Sequence, residues 1–234
     1  MRSLRSMKTR ICCPEYEDEK LILLPLAYLG PVQYFSKFLF KGKIIIEQYD
    51  SYAKQTYRNR CIIFGANGAV ILTIPVKKKE GEKTLVKDIK IDYDTDWRRL
   101  HWRGITSAYN SSPFFEFYRD IFEPFYNKKY NFLVDYCFTL TKDILKQINS
   151  KAEPVLSHEY TFSGNNNIFH DFRELIHPKT EIRNDDTFHP IKYQQVFSEK
   201  WGYIPNLSIL DLLFNVGPET ITILKNSIIK NQRD

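Results

Sequence analysis

The sequence has no long apolar run, and it lacks most of the short motifs that identify an enzyme class. No apolar segment approaches the roughly 20 residues that a membrane-spanning helix needs, so we expect a soluble protein with no membrane span. The chain contains no G-x-G-x-x-G, no P-loop, no G-x-S-x-G and no H-E-x-x-H. These absences weaken, without excluding, the standard dinucleotide-binding, NTPase and serine-hydrolase assignments.

Cysteine is scarce and lacks the spacing of a metal site. Cys12 and Cys13 are adjacent, and Cys61 and Cys137 lie in apolar sequence. Adjacent cysteines do not easily share a disulfide, and cysteines in apolar sequence behave as small buried hydrophobes. We therefore predict a reduced, cytoplasmic protein without a bound structural metal. The sequence points to no particular cofactor.

A clustered basic face is also missing from most of the chain. The formal net charge is +6, and residues 1–10 carry four basic side chains and no acid, so the remainder is only about +2. Nucleic-acid binding requires a concentrated basic surface, so we predict no nucleic-acid partner. We interpret residues 1–19 as a loose leader and residues 20–230 as a single domain, with a sheet-rich part at 20–95 and a helical part at 96–230.

The first part of the chain contains short, nearly unbroken apolar runs rich in Ile and Val. Such runs indicate strands covered on both faces. Gly65-Ala66-Asn67-Gly68 is typical of a hairpin turn, and Tyr34–Phe40 has the length of a crossover helix. The segment Val86–Tyr93 alternates apolar and charged residues, which predicts an edge strand. The four predicted buried strands are Leu21–Leu24, Ile44–Ile46, Cys61–Phe64 and Val70–Ile74.

From Trp97 onward the apolar residues follow a helical period. The residues 159–192 are polar and rich in turns, and the end of the chain is again helical. The predicted fold class is therefore α/β, with a mixed sheet and a β-hairpin in the N-terminal half and a helical, loop-rich C-terminal half. The first predicted helix carries the inward stripe Trp97, His101, Ile105 and Ala108. The other predicted helices are Ser112–Phe122, Asn131–Ile148, Phe169–Ile176, Leu207–Phe214 with Asn206 as its cap, and Gly217–Ile229.

Arg58 and Arg60 precede a predicted buried strand and point the same way if the backbone is extended. Paired guanidinium groups suit a phosphate or a carboxylate, because each can bind two oxygens at once. The alternative is that they pair internally with Glu47, Asp50 or Asp92. Both interpretations remain open from the sequence.

His101 lies on the inward stripe of its helix and could act as an acid, a base or a hydrogen-bond donor. The simpler alternative is a core histidine with its hydrogen bonds satisfied. Tyr109 ends the same helix, where a loop could bring it towards a cleft. His170, Arg173 and His177 share one face if their segment is helical, and that face is either solvated or anion-binding.

Asp211 lies between two leucines in a helix that is apolar on nearly every side. A carboxylate there is costly unless it is paired. We therefore predict a basic partner, namely Arg58, Arg60 or His101. The pair would be tuned for catalysis if it lined a cleft, and it would be structural if it were sealed from solvent.

Four stretches of the chain together resemble the WbqC-like family. They are QYDSYAKQTYRNR at Gln48–Arg60, LTIPV at Leu72–Val76, WRRLHWRGITSAYNSSPFF at Trp97–Phe115 and PNLSILDLLFNVGPE at Pro205–Glu219. The resemblance is strongest to the short form found in Bacteroidetes-type bacteria, and it implies a role in surface-polysaccharide (O-antigen-type) biosynthesis.

The family pattern carries over residue by residue, with one departure. Longer members have a Q-P-x-Y-type turn after the first strand, where this chain has Leu24–Pro31, so any substrate contact of that glutamine is lost or replaced. The matching positions are Asn59, Arg60, Trp97, His101, Tyr109, Pro113, Asn206, Ser208, Asp211 and Asn215.

The residues and the resemblance together predict an enzyme that transfers a group on an activated sugar or a similar anionic metabolite, such as a nucleotide sugar. His101 and Asp211 are the predicted catalytic residues. The alternative is a non-catalytic module that binds a protein or a glycan through exposed aromatic residues such as Tyr118, Phe125, Tyr126 and Tyr130. The oligomeric state is left open. The predicted substrate-binding residues are Arg58, Asn59, Arg60, Tyr109, Asn206, Ser208 and Asn215.

Overall fold

The computed structural model describes residues 20–77, 83–162 and 168–229, so the predicted leader, with Cys12 and Cys13, lies outside the described residues. The strands are β1 Leu21–Pro25, β2 Lys43–Glu47, β3 Arg60–Gly65, β4 Gly68–Thr73, β5 Val76–Lys77, β6 Lys90–Ile91, β7 Val155–Leu156 and β8 Ile168–Asp171. The α-helices are α1 Val32–Ser36, α2 Trp97–Tyr109, α3 Phe115–Asn127, α4 Leu133–Gln147, α5 Ser198–Trp201, α6 Ile209–Val216 and α7 Thr220–Asn226.

A parallel sheet with the strand order β7–β2–β1–β8 organises the fold. The strands β1 and β2 pair from Leu21↔Lys43 to Pro25↔Glu47, and α1 lies in the crossover between them. β8 pairs with the other side of β1, and β7 pairs with the outer side of β2. Every residue of β1 is buried, as a continuous apolar run predicts for a parallel strand. The predicted α/β class is confirmed.

The predicted hairpin is also confirmed. β3 and β4 pair antiparallel from Arg60↔Thr73 to Gly65↔Gly68, and Gly68 has a φ of +100°. The prediction that both strands are covered on both faces was wrong for β4, because Val70 and Ile71 are exposed. The hairpin forms a separate two-stranded sheet, so its outer strand has no layer over its second face.

The predicted edge strand Val86–Tyr93 was largely wrong. Val86–Asp88 forms a 3₁₀ turn, and only the two residues of β6 are extended and paired, with β5. The inward side was predicted correctly, because Val86, Ile89 and Ile91 are all buried. An irregular backbone can bury the same side chains as a strand when its polar groups find partners. Here the Ile91 N–H donates to the Asn131 carbonyl at 3.0 Å.

Three long helices follow, close to their predicted positions. In α2 the stripe Trp97, His101, Ile105 and Ala108 is buried as predicted. α3 begins later than predicted and continues through Pro124 to Asn127.

The helix predicted at Phe169–Ile176 was wrong, because this segment begins with β8. Ile168 and His170 pair with Leu21 and Ile22 of β1. The side of β1 that does not face β2 needs partners for its backbone hydrogen-bonding groups. Pairing of β8 with this side outweighs the weak local helical pattern. His170, Arg173 and His177 therefore do not share a helical face.

The start of α6 connects the end of the chain to its beginning. Ser208, rather than Asn206, is the N-cap, and its hydroxyl accepts a hydrogen bond from the Leu210 N–H at 3.3 Å. The Val32 N–H donates to the Leu207 carbonyl at 3.0 Å, and the Ser208 hydroxyl donates to the Leu29 carbonyl at 2.9 Å. The loop between β1 and α1 is thus fixed by residues about 180 positions later in the chain.

One main cluster of buried hydrophobic side chains connects the sheet, the hairpin and the long helices. Cys61 and Cys137 are buried within it, as free thiols. Among the helices of the described residues, none is both long enough and apolar enough to cross a membrane.

Candidate functional site

Polar and charged residues collect where three adjacent parallel strands, β2, β1 and β8, end. β2 ends at Glu47, β1 ends at Pro25 and β8 ends at Asp171. The chain passes from β1 to β2 on one side, and β8 pairs on the other side of β1. In open α/β sheets, ligands bind outside the carboxyl ends of the strands where the strand order reverses in this way. The topology therefore directs attention to the loops that follow these three strands.

A hydrogen-bonded ionic cluster forms the base of this edge. The Arg173 guanidinium binds Asp171 with two hydrogen bonds, of 2.9 and 2.7 Å, and lies 3.5 Å from a Glu47 carboxylate oxygen. Glu47 is 1% exposed and also accepts hydrogen bonds from the Ser157 hydroxyl at 2.6 Å and the Thr161 N–H at 3.0 Å. Because these groups bind one another, the cluster connects the end of β2 to the end of β8.

Arg58 lies on the segment between β2 and β3, Arg60 is the first residue of β3, and both are less completely paired. Arg58 is buried and forms an ion pair with Asp50, and Arg60 donates a hydrogen bond to the Gln55 carbonyl. The Nε atoms of Arg58 and Arg60 are both buried and have no hydrogen-bond partner among the described residues. Arg60 forms no ion pair with any of the described residues. Of the two guanidinium groups, only that of Arg58 has a carboxylate partner among the described residues.

We group Tyr52 and His177 with Arg58 and Arg60 as the arginine site, because the charges of both arginines act on the pKa of each of these two side chains. Burial raises the pKa of Tyr52 to about 12, and the charges of Arg58 and Arg60 act in the opposite direction. Burial lowers the pKa of His177 below its usual value. The charge of Glu174 acts in the opposite direction, and the charges of Lys179, Arg58 and Arg60 lower the pKa further. The arginines, which follow β2 in the chain, therefore share one electrostatic environment with a histidine from the segment after β8.

The arginine site has the chemistry of an anion-binding site. At neutral pH the His177 ring is uncharged, and its Nδ1 atom accepts a hydrogen bond from the Lys179 N–H at 3.1 Å. The ring proton is then on Nε2, which can donate to an anion. Two guanidinium groups, one neutral imidazole and one phenol supply donors that suit phosphate or carboxylate oxygens.

The predicted catalytic residue His101 lies elsewhere, inside the core. It is 5% exposed, and its Nδ1 atom lies 3.0 Å from the Tyr28 hydroxyl, which in turn lies 3.0 Å from the Tyr126 hydroxyl. Trp97 packs edge-on against the ring at a centroid distance of 5.1 Å. Burial lowers the pKa of His101 to about 4, and a hydrogen bond to the Thr73 backbone acts in the opposite direction.

Asp211, the second predicted catalytic residue, is completely buried in α6. Its Oδ2 atom accepts hydrogen bonds from the Tyr193 hydroxyl at 2.7 Å and the Gln195 side-chain amide at 2.8 Å. Tyr109 lies near the same carboxylate, and its hydroxyl accepts a hydrogen bond from the Phe64 N–H at 3.1 Å. Burial raises the pKa of Asp211, and the hydrogen bonds to Tyr193, Gln195 and Tyr109 oppose this rise.

The prediction that Asp211 has a basic partner was therefore wrong. Neutral tyrosine and glutamine side chains bind the carboxyl group instead. Neutral donors bind the Oδ2 atom without burying a second charge, while the buried Oδ1 atom has no hydrogen-bond partner among the described residues. The candidate partners Arg58 and Arg60 remain at the carboxyl edge of the sheet.

The other predicted site residues make hydrogen bonds within the fold. The Asn59 side chain donates to the Ile74 carbonyl at 2.8 Å, and the Asn215 side chain donates to the Asp211 carbonyl at 2.7 Å. Asn206 accepts a hydrogen bond from the Gln33 N–H at 2.8 Å. With Ser208 at the start of α6, these residues connect loops and elements.

The structure contradicts the exposed aromatic patch predicted for the binding-module alternative. Tyr118, Phe125 and Tyr126 are buried, at 2%, 6% and 5% exposure, and Tyr130 is half-buried.

The described residues include no group of three or more His, Cys, Asp or Glu side chains placed to hold a metal ion.

Sequence reasoning missed Tyr52 and connected His177 with the wrong neighbours. No local pattern identifies these residues, because the segments after β2 and β8 meet only in the folded sheet. The available signal is the rule that ligands bind at the carboxyl ends of parallel strands. It becomes usable only when β8 is identified as a strand.

Comparison with known proteins identifies the family of the chain. The model of the WbqC-like protein family matches residues 27–183, which include the whole arginine site but not the segment 205–219. An uncharacterized protein of Mycobacterium tuberculosis (strain ATCC 25618 / H37Rv), Rv1507c, is 24% identical over 231 residues, which cover 88% of this chain and 98% of that protein. No solved structure matches the chain significantly. A family match that spans well over half of the sequence shows that the chain belongs to the WbqC-like protein family.

Proposed function

We propose that the protein binds an anionic metabolite at the arginine site and that this site is its functional centre. The observation that carries the proposal is the pair of guanidinium groups, each with a buried Nε atom that has no hydrogen-bond partner among the described residues. A buried donor without a partner costs about 1–3 kcal/mol, and more when the group is charged. A ligand that accepts from these donors would offset this cost.

The charge balance supports an anion as the ligand. Arg58 pairs with Asp50, while the described residues offer Arg60 no carboxylate. A half-buried, unneutralised guanidinium group is stabilised most by a bidentate oxyanion such as a phosphate or carboxylate. The neutral His177 adds a donor without adding positive charge, so the site attracts an anion and can still release it.

The reaction that we propose is the transfer of a group from an activated donor, with a nucleotide sugar as the leading candidate. In such a transfer the sugar–phosphate bond breaks, the nucleotide leaves with the electron pair, and the acceptor oxygen forms the new bond and releases its proton to solvent. Arg58 and Arg60 would stabilise the negative charge on the leaving group. We connect this reaction with surface-polysaccharide biosynthesis because of the family resemblance described above.

The proposal gives His101 and Asp211 no direct contact with the substrate. Both are sealed in the core and bound to neutral partners, so they hold the fold. The catalytic roles predicted for His101 and Asp211 therefore stay predictions. In the proposed site, His177 is the histidine that contributes to anion binding.

A thermal-shift screen followed by calorimetry tests this proposal. The ligands are nucleotide sugars, nucleoside diphosphates, coenzyme A and amino acids, each added to wild type and to Arg60→Ala. A ligand at a hundred times its Kd stabilises a protein by about 2.7 kcal/mol, which is about 5–10 °C for a chain of this size. We expect an anionic ligand to give such a shift in wild type and little shift in Arg60→Ala. Arg58→Lys, which keeps the charge, should give an intermediate shift.

Arg103→Ala is the matched control, because Arg103 is an exposed arginine of α2. It should bind the ligand as wild type does. An equal shift in Arg60→Ala and Arg103→Ala, or no shift with any anionic ligand, would contradict the proposal.

The alternative function is a non-catalytic module that binds the same anion. It is favoured by one observation, namely that Asn59, Ser208 and Asn215 use their polar side chains inside the fold. Incubation of the bound ligand with wild type, followed by ³¹P NMR, separates the two functions. Release of the nucleotide that stops in Arg60→Ala supports the transferase, whereas binding without release supports the module.

A further inference from the structure

A cavity lies at the opposite edge of the parallel sheet, beside the amino ends of β2 and β7. It has a volume of about 790 Å³, within the range of small-molecule sites. Its lining includes Lys43 at the start of β2 and Val155 at the start of β7, together with residues after α4 and residues of α7. The amino ends of parallel strands share one edge, so this cavity and the arginine site lie at opposite ends of the same strands.

The inner wall of the cavity is apolar. Phe38 and Ile44 are buried, and Leu39, Phe40 and Ile221 are half-buried and also line the cavity. These side chains come from the crossover after α1, from β2 and from α7. Their exposed parts present hydrocarbon and aromatic groups that favour contact with an apolar ligand group.

The rim of the cavity is basic. Among the described residues, four lysines and one acidic residue, Glu153, line it. Lys151 and Lys225 are exposed and form no ion pair within the described residues. Their long stems can lie along the apolar wall while the ammonium groups remain in water. The cavity therefore combines an apolar interior with a positive entrance.

The end of α4 modifies this charge only slightly. A helix C-terminus carries partial negative charge, which disfavours anions. Here three of the last carbonyls, those of Ile144, Leu145 and Lys146, accept backbone hydrogen bonds from the residues that follow. Lys151 comes directly after this turn and adds a full positive charge.

We propose that this cavity binds an amphipathic phosphate, meaning a ligand with a phosphate group attached to an apolar chain. The phosphate lies at the lysine rim, and the chain lies against Leu39, Phe40 and Ile221. The proposal does not depend on the function of the arginine site, because the two sites share no residue. It assigns a lipid-type ligand to a part of the fold that no predicted site residue occupies.

Isothermal titration calorimetry with decyl phosphate, kept below its micelle concentration, tests the inference. Inorganic phosphate and decanol are the two comparison ligands, since each carries one half of the proposed chemistry. We expect decyl phosphate to bind at least about tenfold more tightly than either, because charge and apolar area contribute together. Equal binding of decanol or of inorganic phosphate would overturn the proposal.

Charge reversal locates the ligand. Lys151→Glu and Lys225→Glu should each weaken decyl phosphate binding by about tenfold, since a favourable charge pair is replaced by a repulsive one. Lys192→Glu, at an exposed lysine that does not line the cavity, should bind as wild type does. Binding that is the same in all three variants would overturn the inference.

Arg60→Ala separates this inference from the proposed function. It should keep the decyl phosphate affinity of wild type while losing the anionic ligand of the arginine site. If Arg60→Ala instead loses decyl phosphate, the ligand occupies the arginine site and the cavity proposal fails.

Discussion

The hydroxyl oxygen of Tyr28 lies 3.0 Å from the Nδ1 atom of His101, and both side chains are sealed in the core. Tyr28 comes from the loop after β1, and His101 comes from α2, so this contact joins the sheet to the helical half. The uncharged ring fits the site because it can accept from one neighbour and donate to another. The imidazolium form would leave a charge in the core without an anionic partner.

His101 should make stability depend on pH between about 6.5 and 4. The pKa of His101 falls from 6.5 in the unfolded chain to about 4 in the fold. In this window only the unfolded chain binds the proton, so stability is complete above pH 6.5 and decreases as the pH falls. We expect a loss of about 2 kcal/mol at pH 5 relative to pH 7.5, from the linkage relation. Urea unfolding at both pH values measures it.

The His101→Gln variant isolates this effect from that of other titrating groups. It should show about 2 kcal/mol less pH dependence than wild type over the same range. His158→Gln, at an exposed histidine, is the control and should behave as wild type does. If His101→Gln and His158→Gln have the same pH profile, the neutral-histidine assignment is wrong.

Asp211→Asn should be tolerated at pH 7. Burial raises the pKa of Asp211, so the charged carboxylate reduces stability at neutral pH and the protonated form is favoured as the pH falls. An asparagine oxygen can still accept from Tyr193 and Gln195, and no charge is buried. Asp211→Ala, which leaves those donors without an acceptor, should cost about 2–4 kcal/mol in urea unfolding. Equal destabilisation by both substitutions would show that the negative charge itself is required.

The buried ion pair of Lys37 and Asp185 should be critical for folding. The Lys37 ammonium is 2.6 Å from the carboxylate, is 0% exposed, and lies 4.4 Å from the centroid of the Phe172 ring. Burial lowers the pKa of Lys37 to about 8, although Asp185 acts in the opposite direction. Lys37→Ala leaves a buried carboxylate unpaired and should cost about 3–5 kcal/mol.

Lys77→Ala is the control for this ion pair. Lys77 pairs with Asp92 and Asp94 at the surface, where solvent screens the interaction, so its removal should change the unfolding midpoint little. A similar loss in both variants would indicate that Lys37 matters for something other than burial of its partner.

Gly217 should not accept a side chain. Its backbone has φ +55° and ψ −123°, a region essentially confined to glycine, and a Cβ atom would lie 2.5 Å from a ring carbon of Phe114. Gly217→Ala should therefore cost about 2–4 kcal/mol in urea unfolding. Gly202→Ala shares the positive φ but has open space around the new atom, so its cost should be clearly smaller. Equal costs would mean that the Phe114 contact relaxes freely.

Local sequence patterns predicted the elements whose conformation is determined by residues close together in the chain. The Asn67-Gly68 turn specifies its hairpin, and the stripe from Trp97 to Ala108 specifies the buried face of α2. β8 was not predictable in this way, because Ile168 becomes a strand residue only by pairing with Leu21 of β1.

The candidate site shows the same division. Arg58 and Arg60 could be singled out together, because they are close in sequence and precede a buried strand, and the ion pair of Arg58 with Asp50 is one of the internal pairings that the sequence offered. His177 joins them only through the topology of the sheet. The partners of Asp211, Tyr193 and Gln195, come from a polar stretch without any periodic pattern. A carboxylate in an apolar helix indicates that it has a hydrogen-bonding partner. It does not indicate whether this partner is charged or neutral.

The hydrogen bonds between the loop after β1 and the start of α6 have a consequence for synthesis of the protein. The Ile209 N–H donates to the Gly30 carbonyl at 2.9 Å, so the first loop of the fold is completed by almost the last helix. During translation, β1 and α1 leave the ribosome long before residues 206–210 exist. Contacts this distant in sequence form late and slow folding. The loop after β1 therefore lacks these backbone partners until synthesis is nearly complete, although β2 can already pair with β1.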